Sequence, residues 1–297
     1  MVQKLPGDIY RSDLKLADGR DISYYDSSEK NRSAADKRNE EAQPGIGHLR
    51  LDPLVDEWVV IASHRQHRVF LPPKELCPLC ASKGDKLTEI PDKDYEVVVF
   101  GNRAPALTTP KGKFKLAQIS ALTTPDVDAA GACEVVCYTS DHSSSFAKLS
   151  EKQIRAVLEA WKDRDSALSK LPFIEQVYIF ENRGEEVGVT LSHPHGQIYA
   201  YSFLPPRIEK MLQVANDHLV KTGKVLLDEV IKREIKDEKR IISQNSEWIA
   251  YVPYAARYPF EIHIAPLRGV SNMSGLDEKQ SAAFPPIAKE VLTRLDG

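Results

Sequence analysis

Hydrophobic and polar positions along this chain follow two periods. Trp58-Val59-Val60-Ile61-Ala62-Ser63 and Tyr95-Glu96-Val97-Val98-Val99-Phe100 are short apolar runs rich in β-branched residues, and they predict strands. Cys133 to Thr139, Phe173 to Phe180 and Ile198 to Leu204 have the same character. The second period is helical. Ile154, Val157, Leu158 and Trp161 recur at helical spacing behind Ser150-Glu151-Lys152-Gln153, a capping-box sequence. This predicts an amphipathic helix over 151–168 with Trp161 in the core. Ile208, Leu212, Ala215 and Leu219 mark the inward face of a second helix, from Arg207 to Thr222, stopped by Gly223. A third runs from Val225 to about Ile235. The last helical pattern, Asp277 to Leu295, contains Pro285-Pro286. Proline inside a helix costs roughly 3 kcal/mol or more, so a break or kink is expected there.

Elsewhere the pattern fades. Residues 1–26 are mixed, with a turn at Asp18-Gly19-Arg20. Residues 27–44 are almost wholly polar and charged and end in Pro44-Gly45, which predicts a mobile loop. Trp248 to Tyr254 and Tyr258 to Arg268 repeat an order of strand, turn, strand and basic residue; His263 within them reads as a core or surface group. The 297 residues allow one large or two moderate domains. A net charge of −3 and the lack of a basic block argue against a nucleic-acid partner. The first residues do not resemble a signal peptide and no apolar run is long enough to span a bilayer, so the chain reads as soluble, with no membrane partner. Four cysteines without an export signal favour reduced thiols or a metal site over disulfides.

Candidate chemistry concentrates in His193-Pro194-His195-Gly196-Gln197. Alternate residues of a strand share a face, so His193, His195 and Gln197 are expected to line one surface. The polar, glycine-punctuated loop from Glu181 to Gly188 feeds that strand, and the combination suits an anion. A neutral imidazole attacks phosphorus when one ring nitrogen is held as N–H, usually by a backbone carbonyl, and the other presents its lone pair. An amide such as Gln197 then donates to the phosphoryl oxygens. By spacing alone the same histidines also suit a buried polar patch or a metal; two histidines and a glutamine in five residues favour a functional role without saying which. Cys77-Pro78-Leu79-Cys80 is a metal knuckle. Zinc needs two further ligands, and either Cys133 with Cys137 or His142 with His193 supplies them. The basic cluster from His64 to Arg68 reads first as a solvated loop, although arginine is well shaped to grip phosphate.

The run from Phe180 to Pro206, FENRGEEVGVTLSHPHGQIYAYSFLPP, resembles the galactose-1-phosphate uridylyltransferases, a branch of the histidine-triad superfamily. The resemblance extends from near Leu49 to Val270. It implies an α+β fold of two histidine-triad-like halves, each an antiparallel sheet with flanking helices, over residues 1–205 and 206–297. Relatives continue through further strands, so the second half is expected to be incomplete, by truncation or because another chain supplies the rest. The implied reaction moves UMP from UDP-glucose to galactose 1-phosphate through a covalent uridylyl-histidine on His195, steadied by Gln197. Arg65, Arg68, Asn102, Asn182, Gly188 and Thr190 match positions near the nucleotide-sugar phosphates and nucleoside. Thr190 keeps the hydroxyl of the serine common there, whereas Ala104 replaces an aromatic. The resemblance selects Cys77, Cys80, His142 and His193 for a structural zinc. A second, iron-like site of some relatives needs a carboxylate where Met211 stands, so none is expected. A cytoplasmic homodimer is the implied form, with part of the arginine contact crossing between subunits. Two alternatives stand beside this reading: a related nucleotidyltransferase or phosphorylase acting on an adenine nucleotide, or an inactive zinc-stabilised fragment.

Overall fold

The computed structural model describes residues 2–40, 45–65, 71–112, 114 and 127–297. Its strands are β1 (Val2–Leu5), β2 (Ile9–Lys15), β3 (Asp21–Asp26), β4 (His48–Asp52), β5 (Glu57–Ile61), β6 (Val97–Gly101), β7 (Val127–Asp128), β8 (Gly131–Cys137), β9 (Gln176–Phe180), β10 (His195–Tyr201), β11 (Ile241–Gln244), β12 (Trp248–Tyr251) and β13 (His263–Pro266). Its helices are α1 (Glu151–Leu168), α2 (Pro206–Thr222), α3 (Leu226–Asp237) and α4 (Glu278–Leu295). The architecture is α+β. A seven-stranded antiparallel sheet runs β1-β2-β3-β6-β8-β10-β9, beside the small sheets β5-β4-β7 and β11-β12-β13.

The large sheet is apolar on both faces, and the two faces have different covers. Tyr25, Val97, Val99, Val136, Ile198 and Ala200 pack under Ile154, Ala156, Val157 and Ala160 of α1. Ile22, Tyr24, Val98, Phe100, Val135 and Cys137 pack on the opposite face against Cys77, Leu79 and Ile90 of the knuckle. Each aliphatic side chain buried this fully contributes about 1.5–3 kcal/mol. The N-terminus of α1 is closed as expected: the Ser150 hydroxyl accepts from the Gln153 amide at 3.2 Å, and the Gln153 side chain accepts from the Ser150 amide at 3.1 Å. Trp161 stacks on Phe146 with centroids 5.8 Å apart and also packs into the core around Trp248 and Ile287, so α1 belongs to two cores at once.

Four expectations change. The mixed residues 1–26 form three strands of the main sheet, with Gly19 at φ +85° making the turn between β2 and β3. The polar segment 27–40 has no regular structure, yet it is held down by ion pairs instead of moving freely. Arg32 is buried against Asp26 at 2.6 Å and Asp92 at 2.9 Å, and Arg38 reaches Asp36 at 2.8 Å and Glu89 at 2.6 Å. Residues 41–44 of the same expected loop lie outside the described residues. The second helix forms and ends at Gly223 in the left-handed conformation, but it has no buried residue. Of the face expected to point inward, Leu212 is 52% exposed and Leu219 45%, while Ile208 and Ala215 are only half-buried. Finally, α4 runs unbroken through Pro285-Pro286. Side chains from the neighbouring sheet also bind the helix backbone on either side of the carbonyls of 281 and 282 that the prolines leave without a donor: Trp248 Nε1 donates to Gln280 O at 2.7 Å and Asn245 Nδ2 to Ala283 O at 2.8 Å. Buried Pro285, Ile287, Ala288 and Val291 supply the packing that offsets the lost backbone bonds.

Candidate active site and metal centre

The central part of the site is β10, paired with β8 (His195↔Cys137, Gln197↔Val135, Tyr199↔Cys133) and with β9 (Gln197↔Phe180, Tyr199↔Tyr178). The residue between His195 and Gln197 has to be glycine. A Cβ on Gly196 would lie 1.9 Å from the Tyr138 hydroxyl and 2.8 Å from the Phe180 carbonyl oxygen. Its neighbours turn to the other face and line a cavity of about 240 Å³ with Arg65, Asn182, Gly188, Thr190 and Tyr199. Gly188 sits at φ +74°, a left-handed turn that brings the loop over this strand.

His195 Nδ1 lies 2.8 Å from the backbone carbonyl oxygen of His193. A carbonyl only accepts, so Nδ1 carries the proton and Nε2 keeps its lone pair. Burial lowers the pKa of this imidazole, and the bond to His193 offsets part of that effect. The ring is therefore neutral at neutral pH, the state a nucleophile needs. Around it stand an amide (Gln197), a hydroxyl (Thr190) and a guanidinium (Arg65), all groups that donate to phosphoryl oxygens.

His193 departs from the expected pattern. It does not share the cavity with His195 and Gln197, because the strand begins only at His195, after Pro194. It is buried and turned to the knuckle instead. Cys77 Sγ, Cys80 Sγ and one nitrogen each of His142 and His193 lie within 4.8 Å of one another. Cys80 Sγ is 3.5 Å from His142 Nδ1 and 3.6 Å from His193 Nδ1. Tetrahedral coordination with metal–sulfur and metal–nitrogen bonds of about 2.3 and 2.0 Å places donors roughly 3.3–3.8 Å apart, so the four residues fit such an ion. The outer atoms are committed as well. His193 Nε2 donates to the Thr139 carbonyl at 2.8 Å, with the Tyr95 hydroxyl equally near, and His142 Nε2 lies 3.2 Å from Ser192 Oγ. That arrangement directs both Nδ1 atoms inward. Burial pushes the pKa of His193 down to about 4, so its ring is neutral and its lone pair available. Cys133 and Cys137, the other candidate pair, are buried free thiols outside this group.

Other expected residues fall apart from the cavity. Asn102 follows β6 directly, and its side-chain oxygen accepts from the Ala104 amide at 3.0 Å. It lines a different cavity, of about 440 Å³, with Arg20 and Arg164. Arg68 lies outside the described residues. Arg65 faces the His195 of its own chain. Two further residues belong to the site: Tyr95, whose hydroxyl lies 2.8 Å from His193 Nε2, and Tyr199, whose hydroxyl accepts from Arg65. Tyr199 was within reach of the alternation argument, since 195, 197 and 199 share a face. Tyr95 was not, because it lies 98 positions from its partner.

Comparison with known proteins agrees with this geometry. A family model described as galactose-1-phosphate uridyl transferase, N-terminal domain, matches residues 36–205, and the C-terminal domain of the same family matches 211–297. The galactose-1-phosphate uridylyltransferase of Streptomyces lividans is 42% identical over 288 residues, covering 96% of this chain and 75% of the relative. That of Thermotoga maritima is 37% identical over 256 residues, covering 84% and 75%. Among solved structures, a uridylyltransferase superposes with a TM-score of 0.66 at 28% identity, over 82% of this chain and 73% of that one. An ADP-glucose phosphorylase from Arabidopsis thaliana with bound ADP-glucose superposes at 0.59 and 26% identity, over 84% and 77%. On these matches, and with a phosphate-sized cavity built around a neutral histidine, the chain belongs to the galactose-1-phosphate uridylyltransferase family.

Proposed function

We propose that this chain transfers uridylyl from UDP-glucose to galactose 1-phosphate in two displacements at His195. In the first, His195 Nε2 attacks the α-phosphorus of UDP-glucose. A phosphorus–nitrogen bond forms, the bond to the bridging oxygen breaks, and glucose 1-phosphate departs with the electron pair. UMP remains on the imidazole. In the second, a phosphate oxygen of galactose 1-phosphate attacks the same phosphorus, the phosphorus–nitrogen bond breaks, and UDP-galactose leaves with the histidine restored. Two half-reactions on one covalent intermediate make the kinetics ping-pong. Gln197 and Thr190 donate to the phosphoryl oxygens, with Asn182, Gly188 and Arg65 around them and Arg68 assigned to the same task.

The observation that carries this reading is the bond from His195 Nδ1 to the His193 carbonyl, which leaves Nε2 as a lone pair inside the cavity. We assign the metal as zinc, bound by Cys77, Cys80, His142 and His193 in a structural role. Four protein ligands leave no open coordination position, and the ion would anchor the segment whose carbonyl orients His195. We further assign the chain to the histidine-triad superfamily, divided into halves at 1–205 and 206–297, and working as a cytoplasmic homodimer.

Intact-protein mass spectrometry after incubation with UDP-glucose alone tests the mechanism. A gain of one UMP on the wild type and none on His195→Ala supports it; no gain on a folded, metal-loaded wild type overturns it. The fold also accommodates ADP-glucose in a relative. Incubation with ADP-glucose is therefore run in parallel, and faster labelling from it replaces uridylyl by adenylyl.

A further inference from the structure

Tyr95 stands just ahead of β6, in the core that joins the large sheet to the knuckle, and it is 4% exposed. Its hydroxyl serves two parts of the candidate metal centre. It donates to the backbone carbonyl of Leu79 at 2.8 Å, and Leu79 sits between the knuckle cysteines Cys77 and Cys80. It also lies 2.8 Å from Nε2 of His193, which comes from just ahead of β10, 98 positions along the chain. One oxygen thus bridges the two segments that a metal would have to draw together.

The proton count fixes the direction of these bonds. A phenolic hydroxyl has a single proton and a carbonyl only accepts, so that proton belongs to the bond with Leu79. Towards His193 the hydroxyl then offers a lone pair. The other neighbour of Nε2, the Thr139 carbonyl at 2.8 Å, is also an acceptor. Nε2 therefore carries the proton and shares it between two acceptors. Nδ1 is left as the lone pair, 3.6 Å from Cys80 Sγ. His142 is braced differently, by an exposed contact of its Nε2 with Ser192 Oγ at 3.2 Å. The His193 carbonyl in turn accepts from His195 Nδ1, so whatever fixes His193 reaches the nucleophile.

We propose that Tyr95 is a positioning residue of the metal centre: its hydroxyl ties His193 to the knuckle carbonyl of Leu79 and holds His193 Nδ1 towards the ion bound by the four ligands. The proposal rests on the metal assignment above and deepens it.

The test is zinc affinity, read on the full chain by competition with a chromophoric chelator, for wild type, Tyr95→Phe and Tyr24→Phe. Phenylalanine at 95 keeps the ring and removes only the bridging oxygen. Tyr24 is buried in the same core, but its hydroxyl accepts from the Asp92 amide at 3.4 Å, so its variant measures the loss of a buried hydroxyl that is not bonded to a candidate ligand. Tyr95→Phe is expected to weaken zinc binding about ten- to a hundredfold, as loss of a partner to the far nitrogen of a ligating histidine does. Tyr24→Phe should change it by less than about twofold. Melting in zinc-buffered solution gives a second reading. A variant that has lost only affinity regains the wild-type melting temperature when free zinc is raised by the same factor, and one that has lost packing does not. Wild-type affinity in Tyr95→Phe, an equal loss in Tyr24→Phe, or a Tyr95→Phe chain that stays unfolded or less stable at the compensating zinc concentration each overturn the proposal. A wild type that takes no zinc from the chelator overturns the metal assignment and the proposal with it, so the two failures are told apart.

Discussion

Helices α1 and α2 begin alike and end in opposite situations. Both carry apolar residues at helical spacing, and they span 18 and 17 residues. Helix α1 buries Ile154, Val157 and Leu158 between the large sheet and α4. Helix α2 has no fully buried residue, and Met211, Leu212, Leu219 and Val220 all lie open. Amphipathic spacing specifies that a helix forms and which stripe is apolar. It does not specify what lies against that stripe, because the cover comes from residues distant in sequence. The region holding the candidate site is the covered one: sheet, knuckle and α1 brace β10 from three sides, so His195 and Gln197 stand on a rigid element.

This contrast can be broken most strongly at the metal centre. Cys80→Ser removes one of the four candidate ligands, the thiol that lies nearest both His142 and His193. Structural zinc supplies roughly 10–16 kcal/mol in finger peptides, so a loss above about 5 kcal/mol is expected here. Thermal melting with and without chelator reads it, and an unchanged melting temperature contradicts a structural metal. Next is Arg32→Ala, which leaves buried Asp26 with Lys30 alone, at 3.2 Å, and should cost about 3 kcal/mol. Denaturant titration measures this; a loss below about 1 kcal/mol would mean that 27–40 is not held by its ion pairs. Ile198→Ala empties a fully buried position under α1 and should cost about 2–5 kcal/mol. Leu212→Ala on α2 closes the series, at under about 0.5 kcal/mol. A large loss at Leu212 would show that something covers α2 in solution.

Acid sharpens the same comparison. Burial acts to raise the pKa of Asp36, and its bonds from Arg38 and from the Ala17 and Arg38 amides outweigh that and lower it. Glu96 is lowered in the same way, by bonds from Ser27 and Lys30 against burial. A carboxylate whose folded pKa is depressed contributes stability that is complete above its unfolded value, about 3.9 for Asp and 4.3 for Glu, and is lost as pH falls through the folded pKa. Amide hydrogen exchange in 27–40 is therefore expected to accelerate below about pH 4, ahead of exchange in β8 and β10. Simultaneous loss of protection in all three would show that the segment does not open separately.

Chemistry spread over a few adjacent residues was legible along the chain. The Ser150/Gln153 cap is a matter of four consecutive residues, and both of its bonds form. The alternation that put His195 and Gln197 on one face held, because pleating is a local property of a strand. It failed at His193, where Pro194 precedes the first paired residue and the side chain turns to the knuckle. The charged segment 27–40 was misread because composition reports the lack of apolar surface but not the placement of Asp92 and Glu89, more than fifty positions away.

By itself, then, the sequence determined where helices form, the Ser150/Gln153 cap and the Gly223 stop, the strand runs from Trp58 onward, the two-cysteine knuckle and the pair of residues facing the cavity, since periods of two and 3.6 residues and short-range hydrogen bonds act between near neighbours. Only the tertiary structure decided that His142 and His193, and not Cys133 and Cys137, gather with the knuckle cysteines into a group that could hold a metal, that residues 2–26 extend the main sheet, that α4 passes through two prolines, and that Arg65 bonds Tyr199 across 134 positions. Each of those depends on strand pairing and burial between distant segments, and free energies of that kind appear only once the chain has closed on itself.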